Sequence, residues 1–259
     1  MTDRLNSVFR QNRKVFVTYI MGGDPDRETS QTLLDALPDA GVDIIELGVP
    51  FSDPMADGPA IEEAGIRARQ GGATLMSVLD MALEFRRKNA TTPMILMGYC
   101  NPVHHMGYGE FARAASDAGV DGAIIVDLPP EEDGELREAF ENHDLAPIRL
   151  ASPTTDAERL LQVVEGTKGF VYYVSMTGVT GASMSNSHSI ADQVARVRNA
   201  SGLPVVVGFG VKTAGRARDI AGHADGVVVG TAIVDKAHRD GHVSALDLVR
   251  SLADAIHSV

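Results

Sequence analysis

Short runs of apolar and β-branched residues recur along the chain, each bounded by Gly, Pro or Asp. They are Val15–Met21, Ile44–Gly48, Met94–Met97, Gly122–Val126, Ala146–Leu150, Phe170–Val174, Pro204–Gly208 and Gly226–Val229. These runs are too short for helices and predict eight strands. Their unbroken apolar character predicts burial on both faces, as in a parallel sheet. The segments between them have helical spacing. Arg27–Ala40 gathers Leu33, Leu34 and Leu37 on one face, and Thr74–Lys88 gathers Leu75, Val78, Leu79, Ala82 and Phe85. Ser189–Ala200 does the same with Ile190, Val194 and Val197. Pro130-Glu131-Glu132 suits the first turn of a helix running to Asn142.

Three turns echo one another. Asp39-Ala40-Gly41-Val42-Asp43 leads into the second strand, Asp117-Ala118-Gly119-Val120-Asp121 into the fourth, and His223-Ala224-Asp225-Gly226 into the eighth. Each reads as a helix end, a tight turn and a buried strand. Alternating strands and helices predict an α/β fold. A doubly wound open sheet is the rival. Eight units without a linker or a change of composition favour a closed (β/α)8 barrel in one domain, residues 1–259.

Composition supports this picture. The length of 259 residues suits one such barrel, and 44% apolar residues can fill its core. A net charge of −12 disfavours nucleic acid as a partner. A phosphorylated metabolite remains compatible if backbone N–H groups hold it. The lone Cys100 permits no intrachain disulfide. The polar segment Met1–Lys14 lacks a signal-peptide core, and no run has the length of a membrane helix. A cytoplasmic protein is expected.

Barrel chemistry is expected at the strand C-termini. Glu46 lies in Ile44-Ile45-Glu46-Leu47-Gly48, where alternation aims it opposite Ile45 and Leu47. It is either a paired core carboxylate or a general acid/base with a pKa raised by burial. The following loop, Pro50 to Pro59, holds three prolines and two aspartates, Asp53 and Asp57. Prolines place such aspartates, although a stiff self-capped turn is the plainer alternative. Asp127, at the end of the fourth strand, is expected to cap the next helix. The small, polar, Gly-rich stretch Ser175–Ser187 suits either a loose connection or a closing lid. Gly208-Phe209-Gly210 and Gly230-Thr231 end the last two strands, where barrels bind phosphate or where glycines merely pack. The adjacent pair His104-His105 does not converge as metal ligands would, and no metal is expected.

The string Glu46-Leu47-Gly48-Val49-Pro50-Phe51-Ser52-Asp53-Pro54-Met55-Ala56-Asp57-Gly58-Pro59 closely resembles the signature of tryptophan synthase alpha chains. Gly23-Asp24-Pro25, Tyr99-Cys100-Asn101-Pro102, Asp127-Leu128-Pro129, Thr177-Gly178-Val179-Thr180-Gly181 and Gly208-Phe209-Gly210-Val211 follow the family's order. The resemblance covers essentially the whole chain. It implies a single (β/α)8 TIM barrel with an extra N-terminal helix. It also implies a lyase that splits indole-3-glycerol phosphate into indole and glyceraldehyde 3-phosphate.

By that resemblance, Glu46 and Asp57 are the catalytic carboxylates, and Tyr172 holds Asp57. Tyr19, Met97 and Phe209 sandwich the indole. Thr180 is the lid threonine, while Gly181, Phe209, Gly210, Gly230 and Thr231 match phosphate and pocket positions. Pro50, Asp53, Asn101 and Pro129 match contacts with a beta subunit in an α2β2 complex. Pyridoxal phosphate belongs to that subunit, and no cofactor is expected in this chain. Tyr19 stands where the family often has phenylalanine, Thr231 where serine is frequent, and Ser183–Asn186 lacks a charge often found there. Two other classes compete. A Schiff-base aldolase needs a strand-end lysine, which this chain lacks. A non-catalytic subunit that only binds the substrate has no use for a buried acid.

Overall fold

The structure, a computed structural model, describes residues 3–174, 190–208 and 210–259. Parallel strands alternate with helices. The strands are β1 (Val15–Met21), β2 (Ile44–Gly48), β3 (Met94–Gly98), β4 (Gly122–Ile125), β5 (Ala146–Pro147), β6 (Arg149–Ala151), β7 (Val171–Val174), β8 (Val205–Gly208) and β9 (Gly226–Val229). The hydrogen-bonded order is β5-β4-β3-β2-β1-β9-β8-β7-β6. Its two ends, β5 and β6, are separated in sequence by Ile148 alone. They are halves of the expected fifth strand. The first half pairs with β4 and the second with β7, so the chain itself closes the ring. The expected eight-unit barrel is therefore observed, with a break beside Pro147, which has no N–H to offer a ladder.

The helices are α1 (Asp3–Phe9), α2 (Arg27–Ala36), α3 (Pro59–Gln70), α4 (Leu75–Lys88), α5 (Cys100–Met106), α6 (Tyr108–Asp117), α7 (Gly134–Asn142), α8 (Ala157–Val164), α9 (Ile190–Ser201), α10 (Ala214–Ala221) and α11 (Thr231–His257). Two differ from the sequence expectation. α2 stops at Ala36 and gives way to a 3-10 turn, Pro38–Ala40, because Pro38 cannot continue an α-helical ladder. α7 starts at Gly134 behind Asp133, so Pro130 lies in the preceding loop rather than in a first turn. α11 is broken at Gly241, where φ is 82°.

Alternation along the strands sorts the core into two layers. Phe16, Ile45, Leu47, Leu96, Val205 and Val207 face the helices. Val15, Val17, Ile44, Ile95, Ile124, Val206 and Val228 fill the barrel interior. Leu5 and Val8 of α1 join that interior layer, so the N-terminal helix plugs the lower mouth.

The repeated turns have a common purpose at that lower face. Gly41 and Gly119 take positive φ, 96° and 75°. The aspartate entering each next strand then accepts a backbone N–H from the preceding strand. Asp43 accepts from Phe16, Asp121 from Met94 and Asp225 from Val205, at 2.8, 2.9 and 2.7 Å. Arginines neutralise all three: Arg13 holds Asp43, Arg4 and Arg86 hold Asp121, and Arg198 holds Asp225. Burial pulls the Asp43 carboxyl upward, but His257, Arg13 and the Phe16 N–H outweigh it and keep it below the usual range. Asp121 is fully buried. Asp121→Ala removes one charge from a buried cluster and strands the Met94 N–H, so it is expected to lower stability by about 3–5 kcal/mol. Urea unfolding checks this, and a loss below about 1 kcal/mol contradicts it.

Candidate active site

The opposite face of the barrel carries the carboxylates. On β2, Ile44 points into the interior while Ile45 and Leu47 pack under the helices. Glu46 therefore points inward with Ile44, one pleat closer to the upper mouth. Its register neighbours are Tyr19 on β1 and Ile95 on β3. Glu46 is 1% exposed, and among the described residues neither carboxyl oxygen has a hydrogen-bond partner. Burial lifts its pKa from 4.5 to about 8. A structural carboxylate at this depth would collect donors. Glu46 has none, so the paired-core alternative loses its basis. What remains is an acid that keeps its proton through neutrality and can give it up.

Asp57 sits in a different setting. Pro59 opens α3 at its first turn, which explains one of the three loop prolines. The Tyr99 hydroxyl, just past β3, donates to Asp57 Oδ1 at 2.8 Å and accepts from the Ala56 N–H at 3.1 Å. Phe51 stacks on the Tyr99 ring, with centroids 5.3 Å apart. The loop is thus pinned from one side by a single tyrosine. Burial and the Glu62 charge raise the Asp57 pKa, while the Tyr99 bond pulls it back. A neighbouring clamp holds the loop after β1, where Arg67 of α3 grips both oxygens of Asp24 at 2.7 and 2.9 Å.

Tyr172 was expected to hold Asp57, and here the structure corrects the reading. Its hydroxyl lies against Gly208 on β8, in the space a β-carbon would fill, while Tyr99 holds Asp57. Tyr19 does the same over Gly48 on β2. Each tyrosine thus leans over the terminal glycine of the next strand. Tyr19 and Met97 belong to one apolar cluster at the upper mouth, with Met21, Ala64, Ala68 and Val234. Phe209, Thr180 and Gly181, and the rest of the stretch Ser175–Ser187, lie outside the described residues.

The two glycine-bearing strand ends differ physically. Gly210 is exposed with φ 68°, a backbone state that side chains disfavour. Gly230 precedes the first turn of α11, and a β-carbon there would press on Tyr19 at 3.0 Å. Thr231 is exposed in that first turn. Of the residues expected to meet a partner, Asp53, Asn101 and Pro129 are exposed around the same mouth. Pro50 is buried, so it shapes the loop from beneath and has little surface to offer. Asp127 does not cap the next helix. It accepts the Cys100 N–H at 2.7 Å, at the start of α5 in the preceding unit. Cys100 packs near Tyr108, with Sγ 3.5 Å from the hydroxyl, and His104 reaches the same hydroxyl.

Tyr99 is the residue that sequence reasoning missed. Alternation from Ile95 and Met97 already carries it to the inner side of the strand end, and that signal could have found it.

Comparisons with known proteins bear on the family. The profile of a family described as tryptophan synthase alpha chain matches residues 5–256. The chain is 53% identical to the tryptophan synthase alpha chain of Phenylobacterium zucineum, over 98% of this chain and 94% of the relative. A crystal structure of tryptophan synthase subunit alpha from Legionella pneumophila superposes with a TM-score of 0.90 at 37% identity, covering 100% of both chains. A chain from a structure of Mycobacterium tuberculosis tryptophan synthase gives 0.90 at 38% identity, covering 99% of both. With profile, sequence and three-dimensional structure matching over nearly their full lengths, the chain belongs to the tryptophan synthase alpha chain family.

Proposed function

We propose that this chain, as a single catalytic domain, cleaves indole-3-glycerol phosphate with Glu46 as proton donor and acceptor and Asp57 as the anion beside the indole N–H. The family's reaction is a carbon–carbon lyase step that yields indole and glyceraldehyde 3-phosphate for tryptophan biosynthesis. Glu46 protonates indole C3, which turns the ring into an electron sink. The bond from C3 to the glycerol carbon then breaks, its electrons neutralise the ring, and the glycerol hydroxyl becomes an aldehyde. The hydroxyl proton returns to Glu46, so the acid is regenerated and the atoms balance. Asp57 stabilises the cationic ring through the indole N–H. The observation that carries this reading is the buried, unpartnered Glu46.

Tyr19 and Met97 suit the walls of an indole slot, a role the family resemblance also gives Phe209, and Tyr172 suits the same interior. Gly210, Gly230 and Thr231, together with Gly181, suit a phosphate site of backbone N–H groups. Thr180 suits a lid over it. Exposed Asp53, Asn101 and Pro129 suit docking of a beta subunit in an α2β2 assembly, and pyridoxal phosphate then resides in that subunit. The steps assigned to this chain are proton transfers and ask for no cofactor. Among the described residues no helix is long and apolar enough to cross a membrane, and a cytoplasmic setting fits this role.

Indole release from indole-3-glycerol phosphate, measured with and without a beta subunit, tests the assignment. A slow rate that rises on adding beta is expected, and no release under either condition refutes it. Glu46→Gln is expected to lose roughly 10²–10⁴ in kcat. The same variant gains stability relative to the wild type as pH rises. The unfolded glutamate ionises near 4.5 and the folded one near 8, so the wild type loses stability as pH rises between these values. Thermal melts should therefore show Glu46→Gln ahead by a few kcal/mol at pH 8, with the gap closing toward pH 4. Tyr99→Phe removes the donor that favours the Asp57 anion. The acid limb of its kcat/KM profile should move to higher pH, and an unmoved limb would detach Tyr99 from Asp57 in function.

A further inference from the structure

A buried acid that donates its proton leaves a buried carboxylate behind, and such a charge needs a donor. Among the described residues Glu46 has none in the protonated resting state. The neighbouring strand supplies a candidate. β1 and β2 are in register with Tyr19 beside Glu46, and the Tyr19 ring runs diagonally so that its hydroxyl lies over Gly48. Gly48 and Glu46 share the inner face of β2, two residues apart. Tyr19 is 7% exposed, and among the described residues its hydroxyl donates only to the Met21 thioether, at 3.8 Å. A thioether is a weak acceptor, so this donor is held in reserve beside the acid.

We infer that Tyr19 is a positioning residue for Glu46, its hydroxyl donating to the carboxylate that forms when Glu46 has given up its proton. This rests on the reading of Glu46 as the proton donor. Several groups bear on the pair. Burial, then the charges of Asp57, Glu46, Tyr99 and Asp24, hold the Tyr19 hydroxyl in its protonated form. Tyr172 on β7 also feels the Glu46 charge from another strand, and its hydroxyl lies over Gly208. From α3 and α11 the apolar cluster around Tyr19 takes Ile61, Ala64, Ala68 and Val234, and the charge of Glu62 on α3 acts on Asp57. The absence of a side chain at Gly48 is what lets the hydroxyl lie on the face of β2 that carries Glu46.

The test compares the full-length wild type with Tyr19→Phe and Glu46→Gln. Carboxyl carbons of glutamate are labelled with ¹³C, and Glu46 is assigned by the signal lost in Glu46→Gln. In Tyr19→Phe the Glu46 titration should rise by about one pH unit, because a charge-assisted hydrogen bond to the anion is gone. Turnover of indole-3-glycerol phosphate should fall about tenfold in kcat, with KM within about twofold. Unchanged titration overturns the inference. So does a titration shift with undiminished kcat, and so does a change confined to KM, which makes the hydroxyl a substrate-binding group. If Glu46→Gln is inactive and Tyr19→Phe is silent, only the role of Tyr19 falls. If Glu46→Gln retains turnover, the reading of Glu46 falls and takes the inference with it.

Discussion

A carboxyl group without a partner inside an apolar barrel must stay neutral, and the upper half of this molecule is arranged around that condition. Ionising Glu46 in place costs far more than ionising a surface glutamate, as its pKa of about 8 records. The barrel tolerates the group because its apolar interior is otherwise complete, from the α1 plug at the bottom through Ile44, Ile95, Ile124 and Val206. The result is a proton stored at the upper end of the barrel interior. Asp57 is the complement. It lies nearer the surface and keeps a tyrosine donor that offsets part of the upward pull of burial, a relief that Glu46 lacks among the described residues.

The two ends of the barrel solve opposite problems. At the lower face, charge is neutralised as completely as possible. Asp43, Asp121 and Asp225 each tie one strand to the next and are each matched by arginine. At the upper face, groups are left unmatched. Among the described residues Glu46 lacks donors and Tyr19 lacks a good acceptor. The stability of the first end permits the incompleteness of the second, a division expected of barrels that keep chemistry at the strand C-termini.

Much of this was legible in the sequence because burial on both faces leaves an unbroken apolar signature. β1, β2 and β9 begin and end where the apolar runs do. The inward aim of Glu46 followed from strand alternation alone. Proline chemistry produced the errors. Pro147 divides the fifth strand, Pro38 ends α2 early, and Pro130 lies in a loop although its neighbours suit a helix start. Side-chain partners across the barrel were harder still. Tyr99 lies 42 residues from Asp57, and Asp127 reaches back 27 residues to α5 rather than forward. No local pattern encodes such pairs, since they depend on how the ring closes.

The tyrosines that lean over Gly48 and Gly208 carry one more implication. Floor space in this cavity does not belong to single positions. A side chain at Gly48 needs the room that the Tyr19 ring occupies, and one at Gly208 needs the room of Tyr172. Any reshaping of the cavity, by drift or by design, therefore has to exchange volume within these pairs. A larger residue at the strand end becomes acceptable only when its tyrosine shrinks, and the two walls, β1 with β2 and β7 with β8, can be recut independently.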